Sequence, residues 1–163
     1  GRLLAALSGT DAKRPYASAG GLYPVQVYLH ARDITGIAPG LYFHDPLAHD
    51  LAAIAPGLAH PPDLHFGINL PLAEAAAFSI YLVAPAEAIR PVYGAWSERF
   101  CQLEAGAMAQ LLAEAAPALD LALCPIGHMA FERIQPHLGL DGEVWPVHVL
   151  LGGNPEAWEV LTL

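Results

Sequence analysis

Arg14–Pro24, with the sequence RPYASAGGLYP, runs directly into the apolar segment Val25–Leu29, VQVYL. The first segment combines small side chains with two adjacent glycines, Gly20 and Gly21, and the second has the composition of a core strand. Glycine reaches backbone conformations that other residues avoid, and without a side chain it leaves backbone N–H groups open to a flat or anionic ligand. This stretch therefore predicts a tight ligand-contacting turn at the entrance to a buried strand.

A second small-residue segment, Cys124–His128 (CPIGH), lies towards the other end of the chain. We interpret it as a second turn. It follows a helix predicted over residues 97–116, which Pro117 ends or bends. The apolar positions of this helix recur at helical spacing: Phe100, Leu103, Ala107, Leu111 and Ala115.

The remaining pattern mixes short strands and helices, which predicts an α+β fold rather than a doubly wound parallel sheet. Neither GxGxxG nor GxxxxGK[ST] occurs, so nothing in the sequence favours a Rossmann or P-loop nucleotide site. The nearly continuous apolar run 77–83 is typical of a strand buried on both faces. Further elements are predicted as strands over 25–30 and 144–151, a hairpin over 40–54, and short helices over 3–7, 70–77 and 131–138.

The composition excludes several function classes. The 163 residues include seven Lys and Arg against 16 Asp and Glu, a net charge of −9, which argues against nucleic acid as a partner. No uncharged apolar run reaches the roughly 18 residues of a membrane span, and no signal peptide is visible. Cys101 and Cys124 form no CxxC motif and predict reduced thiols in the cytoplasm. The histidines lack metal-ligand spacing, so we expect no metal site.

Seven short motifs occur in an order that resembles the nitroreductase-like flavoproteins, and among them the SagB-type dehydrogenases. That group includes the azoline oxidases of ribosomal peptide pathways and the oxidase domains of non-ribosomal peptide synthetases. The resemblance covers about Leu3 to Gly153. The motifs are Ser18–Pro24, Gly40–Tyr42, Asp45–Pro46, Tyr93–Gly94, Leu103–Gly106, Cys124–Gly127 and Leu138–Gly142.

The resemblance implies a dimeric FMN enzyme with a mainly antiparallel sheet and each flavin in a cleft between subunits, completed by a second copy or a related subunit. It implies that Ser18, Ala19 and Gly20 line the flavin. It further implies that the segment of Pro125, Ile126 and Gly127 presents backbone N–H groups to N5 and O4 of the isoalloxazine, where charge develops as hydride arrives.

The reaction that the resemblance implies is oxidation of a thiazoline or oxazoline in a peptide intermediate to the thiazole or oxazole. A base removes the ring α-proton, hydride passes to FMN N5, and dioxygen reoxidises the flavin. The sequence leaves open whether the substrate rides on a carrier protein or follows a leader peptide.

Two departures from the family pattern concern the chemistry. Several of these oxidases have a Lys-Tyr pair where this chain has Val92-Tyr93. Tyr93 remains the candidate catalytic residue, and Arg99 is the nearest cation in the sequence after it. The usual N-terminal cluster that holds the FMN phosphate is absent, and residues 154–160 carry no cation. Three explanations stay open: Arg14, Lys13 or Arg2 substitutes for the cluster, the phosphate residues lie on another segment or another chain, or FMN does not bind. We expect a single domain over 1–163 that lacks part of the phosphate-binding segment.

Two other functions remain open. One is an NAD(P)H-dependent nitroreductase, and the other is a non-catalytic scaffold or binding subunit with the same fold. Individual residues also have alternatives: Glu104 is either a solvated or a buried structural carboxylate, and His128 is either an interface residue or an acid/base. Trp158 is expected to pack against a partner subunit.

Overall fold

A computed structural model describes residues 1–9, 13–61 and 63–159 of the chain, so Val160 and the end of the predicted 1–163 domain lie outside the described residues. The described chain forms one six-stranded sheet in the order β3-β2-β1-β4-β6-β5, with every neighbouring pair antiparallel. The predicted α+β fold is confirmed. The strands are β1 (Gln26–Ala31), β2 (Gly40–Asp45), β3 (Asp50–Pro56), β4 (Phe78–Pro85), β5 (Ala122–Ile126) and β6 (Val144–Gly153).

One long helix and several short helical turns surround this sheet. The α-helices are α1 (Leu70–Ala75), α2 (Arg90–Tyr93), α3 (Ser97–Ala115) and α4 (Glu156–Glu159). The predicted helix over 131–138 is instead two 3-10 turns, Phe131–Arg133 and Gln135–His137. Pro136, the second residue of the second turn, has no N–H to continue a helix from the first turn. None of the described helices is long and apolar enough to cross a membrane.

Strand β4 is the centre of the core. All eight of its residues are buried, because β1 and β6 flank it and both of its faces are covered. The prediction of a strand buried on both faces is confirmed.

The sheet separates two apolar cores. On the side that we call the α3 face, Val27, Ile80 and Leu82 pack against the helix through residues such as Met108 and Leu112. On the opposite side, the histidine face, Tyr28, Tyr81 and Val149 pack with Leu64, Ile134 and Trp158. Trp158 is 6% exposed in its own chain, so the expectation that it packs against a partner is wrong.

Helix α3 buries a different stripe from the one that its sequence suggested. The buried positions are Cys101, Glu104, Ala105, Met108 and Leu112, whereas Leu103 is 62% exposed. Phe100, Ala107, Leu111 and Ala115 are only partly buried at the margin of the core. The predicted stripe is therefore displaced from the buried one by about one residue.

Four segments that carry the sequence motifs leave the sheet at the same end. In the strand registers, Gln26 lies opposite Val83, Val83 opposite Pro146, and Ile126 opposite Val149. The start of β1, the end of β4 and the start of β6 are therefore neighbours, and β5 ends in the same direction but opposite the middle of β6; we call this the site end. A cavity of about 690 Å³ lies at the other end, lined by residues such as Leu29, Phe78 and Gly153.

Candidate functional site

The glycine-rich segment before β1 is a tight turn, as predicted. Gly20 and Gly21 have φ angles of +60° and +67°, which side chains disfavour. The Gly21 amide donates to the Ser18 carbonyl at 3.1 Å, and the Tyr23 amide donates to Ser18 Oγ at 2.8 Å. Among the described residues, the Gly20 amide has no hydrogen-bond partner in the protein. The turn thus exposes a backbone donor at a position without a side chain.

Tyr93 lies against this turn. A Cβ atom built on Gly20 would stand 2.8 Å from Tyr93 Oη, so only glycine leaves room for the hydroxyl. The Tyr93 ring is held edge-on against Phe100 with centroids 4.9 Å apart, and Gly94 ends α2 with a φ of +52°. The structure therefore brings together two of the predicted site residues, Gly20 and Tyr93, which are far apart in the sequence.

Glu104 supports the turn from helix α3. It is 2% exposed, and its Oε1 accepts the Val25 amide at 3.3 Å. Burial raises the pKa of this carboxyl, against the opposing effects of the Ser18 hydroxyl, the Val25 amide and Arg14. Of its two sequence-based interpretations, the buried carboxylate is the one observed.

Arg14 faces aromatic rings. Its NH1 donates to Tyr16 Oη at 2.9 Å, and its guanidinium lies 4.7 Å from the centroid of Tyr23. A cavity of about 180 Å³ adjoins it, with the buried His44 in its lining. Arg99 is exposed and lies over Trp96, 5.7 Å from the ring. The two predicted cations therefore have different surroundings.

The second segment is a strand for most of its length, and the prediction of a turn over Cys124–His128 is wrong. Residues up to Ile126 belong to the edge strand β5, where Ile126 is paired with Val149 and 3% exposed. An edge strand tolerates Pro125, which is exposed. Pro125 also has no N–H, so only the Ile126 and Gly127 amides of the predicted trio are potential donors.

Gly127 is the open position of this second segment. It is exposed, and a Cβ atom built on it would have no atom within 4 Å. The neighbouring His128 is exposed and packs edge-on against Phe66 at 5.2 Å. Burial raises the pKa of the Cys124 thiol, which disfavours a thiolate nucleophile there.

The two backbone segments share the site end but are not in contact. Strands β1 and β5 are three strand spacings apart, about 14 Å. No hydrogen bond among the described residues joins Ser18–Gly20 to Pro125–Gly127. A ligand touching both segments of one chain would have to span that distance.

A polar groove beside Gly94 was not predicted. Arg90 and Glu143 form an ion pair at 2.7 Å, and Trp145 Nε1 donates to Glu143 at 3.0 Å. Together with Gly94 and Glu98 they line a groove of about 320 Å³. Arg90 and Glu143 lie on segments far apart in the sequence, so no local pattern pointed to the pair.

The histidine face contains a second feature that the sequence did not reveal. The rings of His30 and His60 stack at 4.2 Å, and those of His60 and His65 lie 6.1 Å apart. His30 Nε2 pairs with the Leu58 carbonyl, and His60 Nε2 with Ser79 Oγ. Burial lowers the pKa of His30 and His65 and takes that of His60 to about 3. Within the described ranges, no three His, Cys, Asp or Glu side chains are placed to hold a metal.

Comparison with known proteins connects this fold to one family. A profile of the nitroreductase family matches residues 2–153. A protein of Methanocaldococcus jannaschii that carries a nitroreductase name is 29% identical over 134 residues, which are 77% of this chain and 64% of that protein. The indigoidine synthase of Dickeya dadantii is 28% identical over 114 residues, 69% of this chain and 7% of that protein. The chain thus spans less than two thirds of either relative.

Solved structures agree on the fold. An Anabaena variabilis protein described as a nitroreductase superposes with a TM-score of 0.80 at 23% identity, over 98% of this chain and 35% of that one. A chain of the Escherichia coli microcin synthetase McbBCD complex, with truncated pro-MccB17 bound, gives 0.72 at 21% identity, over 93% and 60%. The family match over residues 2–153 and the shared antiparallel sheet lead to one conclusion: the chain belongs to the nitroreductase family.

Proposed function

We propose that this chain is an FMN-dependent oxidoreductase of the SagB type, which oxidises a thiazoline or oxazoline in a peptide intermediate to the thiazole or oxazole. The observation that carries the proposal is the contact between Gly20 and Tyr93 at the site end. This contact places the segment proposed to line the flavin beside the residue proposed to act on the substrate.

The backbone at the site end suits the ring of a flavin. The Gly20 amide has no partner among the described residues, and Gly127 has open space where a side chain would stand. Such donors stabilise negative charge on a flat ring that approaches the backbone closely. We therefore propose Ser18, Ala19 and Gly20 of one subunit along the ring, with the Ile126 and Gly127 amides of a second subunit as donors and its Pro125 as a surface without one, because the two segments of one chain are about 14 Å apart.

The chain offers fewer candidate contacts for the phosphate of FMN than for its ring. Arg14 donates to Tyr16 and Arg99 lies over Trp96, and neither forms an ion pair with a carboxylate in the described part of the chain. We propose Arg14 and Arg99 as candidate contacts for the phosphate or for the substrate. A phosphate cluster from another segment or subunit would complete the site.

When bound, FMN would supply the hydride acceptor for the oxidation. Tyr93 is proposed to orient the azoline ring or to exchange its α-proton, because its hydroxyl lies at the open edge of the turn. Phe100 holds the Tyr93 ring and limits the positions of the hydroxyl. The groove of Arg90, Glu143 and Trp145 continues from Gly94 and is a candidate binding place for the peptide that carries the ring.

One structural neighbour supports a peptidyl substrate, since it belongs to a microcin synthetase complex with truncated pro-MccB17 bound. We propose a carrier-bound or leader-bound peptide as the substrate class. The two described cysteines are free thiols, which is consistent with a cytoplasmic location.

We also propose that the chain works as a dimer or beside a related subunit, as one domain. Val92, Trp96 and Leu103 are 64%, 59% and 62% exposed at the outer side of α2 and α3. Large apolar side chains exposed together are typical of an interface. We call them the outer patch. A second subunit on this patch would bring another set of site residues towards Tyr93.

Flavin reconstitution followed by turnover tests the proposal. The purified protein is expected to gain a flavin absorbance spectrum with FMN and to convert a peptidyl thiazoline to the thiazole with uptake of dioxygen. Tyr93→Phe should keep FMN and lose turnover by about 100-fold or more. Tyr42→Phe, which removes a hydroxyl that donates to the Ala38 carbonyl away from the site end, is the matched control for FMN binding and for turnover.

Two other outcomes would replace the proposal. Rapid flavin reduction by NAD(P)H without azoline oxidation would favour a reductase, the activity suggested by the nitroreductase names among the relatives. Failure to bind FMN in the presence of every candidate subunit would favour a scaffold, in keeping with the missing phosphate cations and with Val92 in place of a lysine.

A further inference from the structure

Glu104 is the only carboxyl buried in the part of the chain that the structure describes. The other glutamates of α3, Glu98 and Glu114, are exposed. A buried carboxyl loses its hydration, and this cost is recovered only through hydrogen bonds or charge pairing. The groups that Glu104 contacts therefore have to offset the cost of its burial.

The end of the glycine turn contacts this carboxyl. Its Oε1 accepts the Val25 amide at 3.3 Å. At the start of the turn, Ser18 Oγ accepts the Tyr23 amide at 2.8 Å, and the Ser18 hydroxyl lowers the pKa of the nearby carboxyl. The carboxyl thus holds the turn directly at Val25, two residues after the amide that closes the turn onto Ser18.

The second oxygen of Glu104 has no partner at normal hydrogen-bond distance, although it is buried. Arg14 and Tyr16 from the N-terminal segment and Cys101 from α3 are the other titratable groups that act on the carboxyl. Arg14 alone among them carries a positive charge. An ionised carboxyl accepts hydrogen bonds more strongly than a neutral one, so the hold on the Val25 amide depends on its protonation.

The turn that Glu104 holds also determines the place of Tyr93. The Tyr93 hydroxyl occupies the space that a side chain on Gly20 would fill. A shift of the turn away from α3 would therefore open the contact between Gly20 and Tyr93. It would also move the Gly20 amide.

We propose that Glu104 is a positioning residue: it ties the Val25 end of the Ser18–Val25 turn to α3 and so holds Gly20 against the Tyr93 hydroxyl. This inference rests on the proposed function, in which the turn faces FMN. It adds that flavin affinity depends on a carboxyl that does not touch the flavin, and that this affinity changes with the protonation of Glu104.

The first test compares Glu104→Gln and Glu104→Ala with the exposed control Glu114→Gln. FMN affinity is measured by fluorescence quenching between pH 5 and 9, at temperatures where each variant is folded by circular dichroism. Glu104→Ala should bind FMN about 10-fold or more weakly and alter the visible circular dichroism of the flavin. Glu104→Gln should bind at an intermediate level, without the pH dependence of the parent protein. Glu114→Gln should match the parent.

The second test needs no flavin and separates this inference from the proposed function. Hydrogen–deuterium exchange should show faster exchange at the Tyr23 and Val25 amides in Glu104→Ala than in Glu114→Gln. If the parent protein binds no FMN, the proposed function fails, while faster exchange at these amides still supports the connection between Glu104 and the turn. Unchanged exchange, or parental FMN affinity with parental pH dependence in both Glu104 variants, overturns the inference.

Discussion

The two faces of the sheet differ in the ionisable groups that they bury. The α3 face holds the carboxyl of Glu104, whose pKa is raised by burial, beneath the glycine turn, and also His44, whose pKa burial lowers to about 4. The histidine face holds His30, His60 and His65, whose pKa values are lowered by burial. All of these shifts reflect the cost of a charge in a dry core. The carboxyl and the histidines affect stability in opposite directions when the pH changes, and among the described residues only the α3 face buries both kinds.

The sign follows from proton binding. Below pH 6.5, the ordinary histidine pKa, the histidines of this face bind protons more strongly in the unfolded chain than in the folded one. Their contribution to stability is therefore complete above that pH and falls as the pH decreases. Glu104 keeps its proton to a higher pH when folded than when unfolded. Its contribution is therefore complete below the ordinary pKa of 4.5 and is lost as the pH rises through the raised value.

The largest expected effect is acid destabilisation from the histidine face. With a folded pKa of about 3, His60 alone should cost about 3 kcal/mol of the free energy of unfolding at pH 4, relative to pH 7.5. His60→Phe, which keeps a ring against His30, should make the unfolding free energy less dependent on pH between 4 and 7. Urea unfolding at several pH values measures this. His128→Gln, at an exposed histidine, is the control, and an equal flattening in both variants would refute the assignment to this face.

The next effect concerns packing on the α3 face. A Cβ atom on Gly152 would stand 2.1 Å from Phe78 Cζ and 2.9 Å from Leu123 Cδ2, with the Phe78 ring buried. Gly152→Ala should therefore lower the free energy of unfolding by about 2 kcal/mol. Gly106→Ala, within α3 and with open space around the new atom, should raise it by about 0.5–1 kcal/mol. Thermal melting of the two variants should show shifts of opposite sign, and a loss in both would contradict the packing account.

A smaller effect separates strain from function in the glycine turn. Gly20→Ala and Gly21→Ala each place a side chain at positive φ, and each should cost about 1 kcal/mol of stability. Only the Gly20 variant also displaces the Tyr93 hydroxyl, since Gly21 has no atom within 4 Å of its missing Cβ. FMN titration should therefore find a larger loss of affinity in Gly20→Ala. Equal FMN affinity in the two variants would argue against the contact with Tyr93 as part of the site.

The smallest effect on stability belongs to the outer patch. Leu103→Asp changes a side chain that is 62% exposed and should alter the unfolding free energy of the isolated chain by less than about 0.5 kcal/mol. It should nevertheless dissociate the proposed dimer, because a carboxylate would be buried in an apolar interface. Sedimentation analysis measures the assembly, with Glu114→Gln as the control. An unchanged assembly would place the interface elsewhere.

Local patterns predicted most of the sheet. The strand over 77–83, the hairpin over 40–54 and the long helix over 97–116 agree with β4, β2–β3 and α3 within about two residues. In these segments the spacing of apolar residues in the sequence follows the burial of their side chains in the structure. The buried stripe of α3 was predicted at the wrong positions because Glu104 lies in its middle. A helix stripe that contains a glutamate has the sequence pattern of a solvent-facing surface.

The site was predictable only in part. Gly20 and Tyr93 were recognised separately, but their contact depends on the turn of the chain after β4, which no local pattern contains. The strand pairing of Ile126 outweighed the turn preference of its small neighbours. The stacked histidines come from β1 and from the loop after β3, so their spacing along the chain carried no signal of the cluster.

Pro125 has a consequence for the solubility of the sheet. Strand β5 forms one open edge, and a proline within it removes an N–H from the row that a foreign strand would pair with. Strand β3 forms the other edge and ends at Pro56. Each edge of this apolar sheet thus carries a proline that hinders edge-to-edge aggregation. Pro125 is close in the chain to the open backbone of Gly127, so the proposed ligand contact lies beside a protected edge.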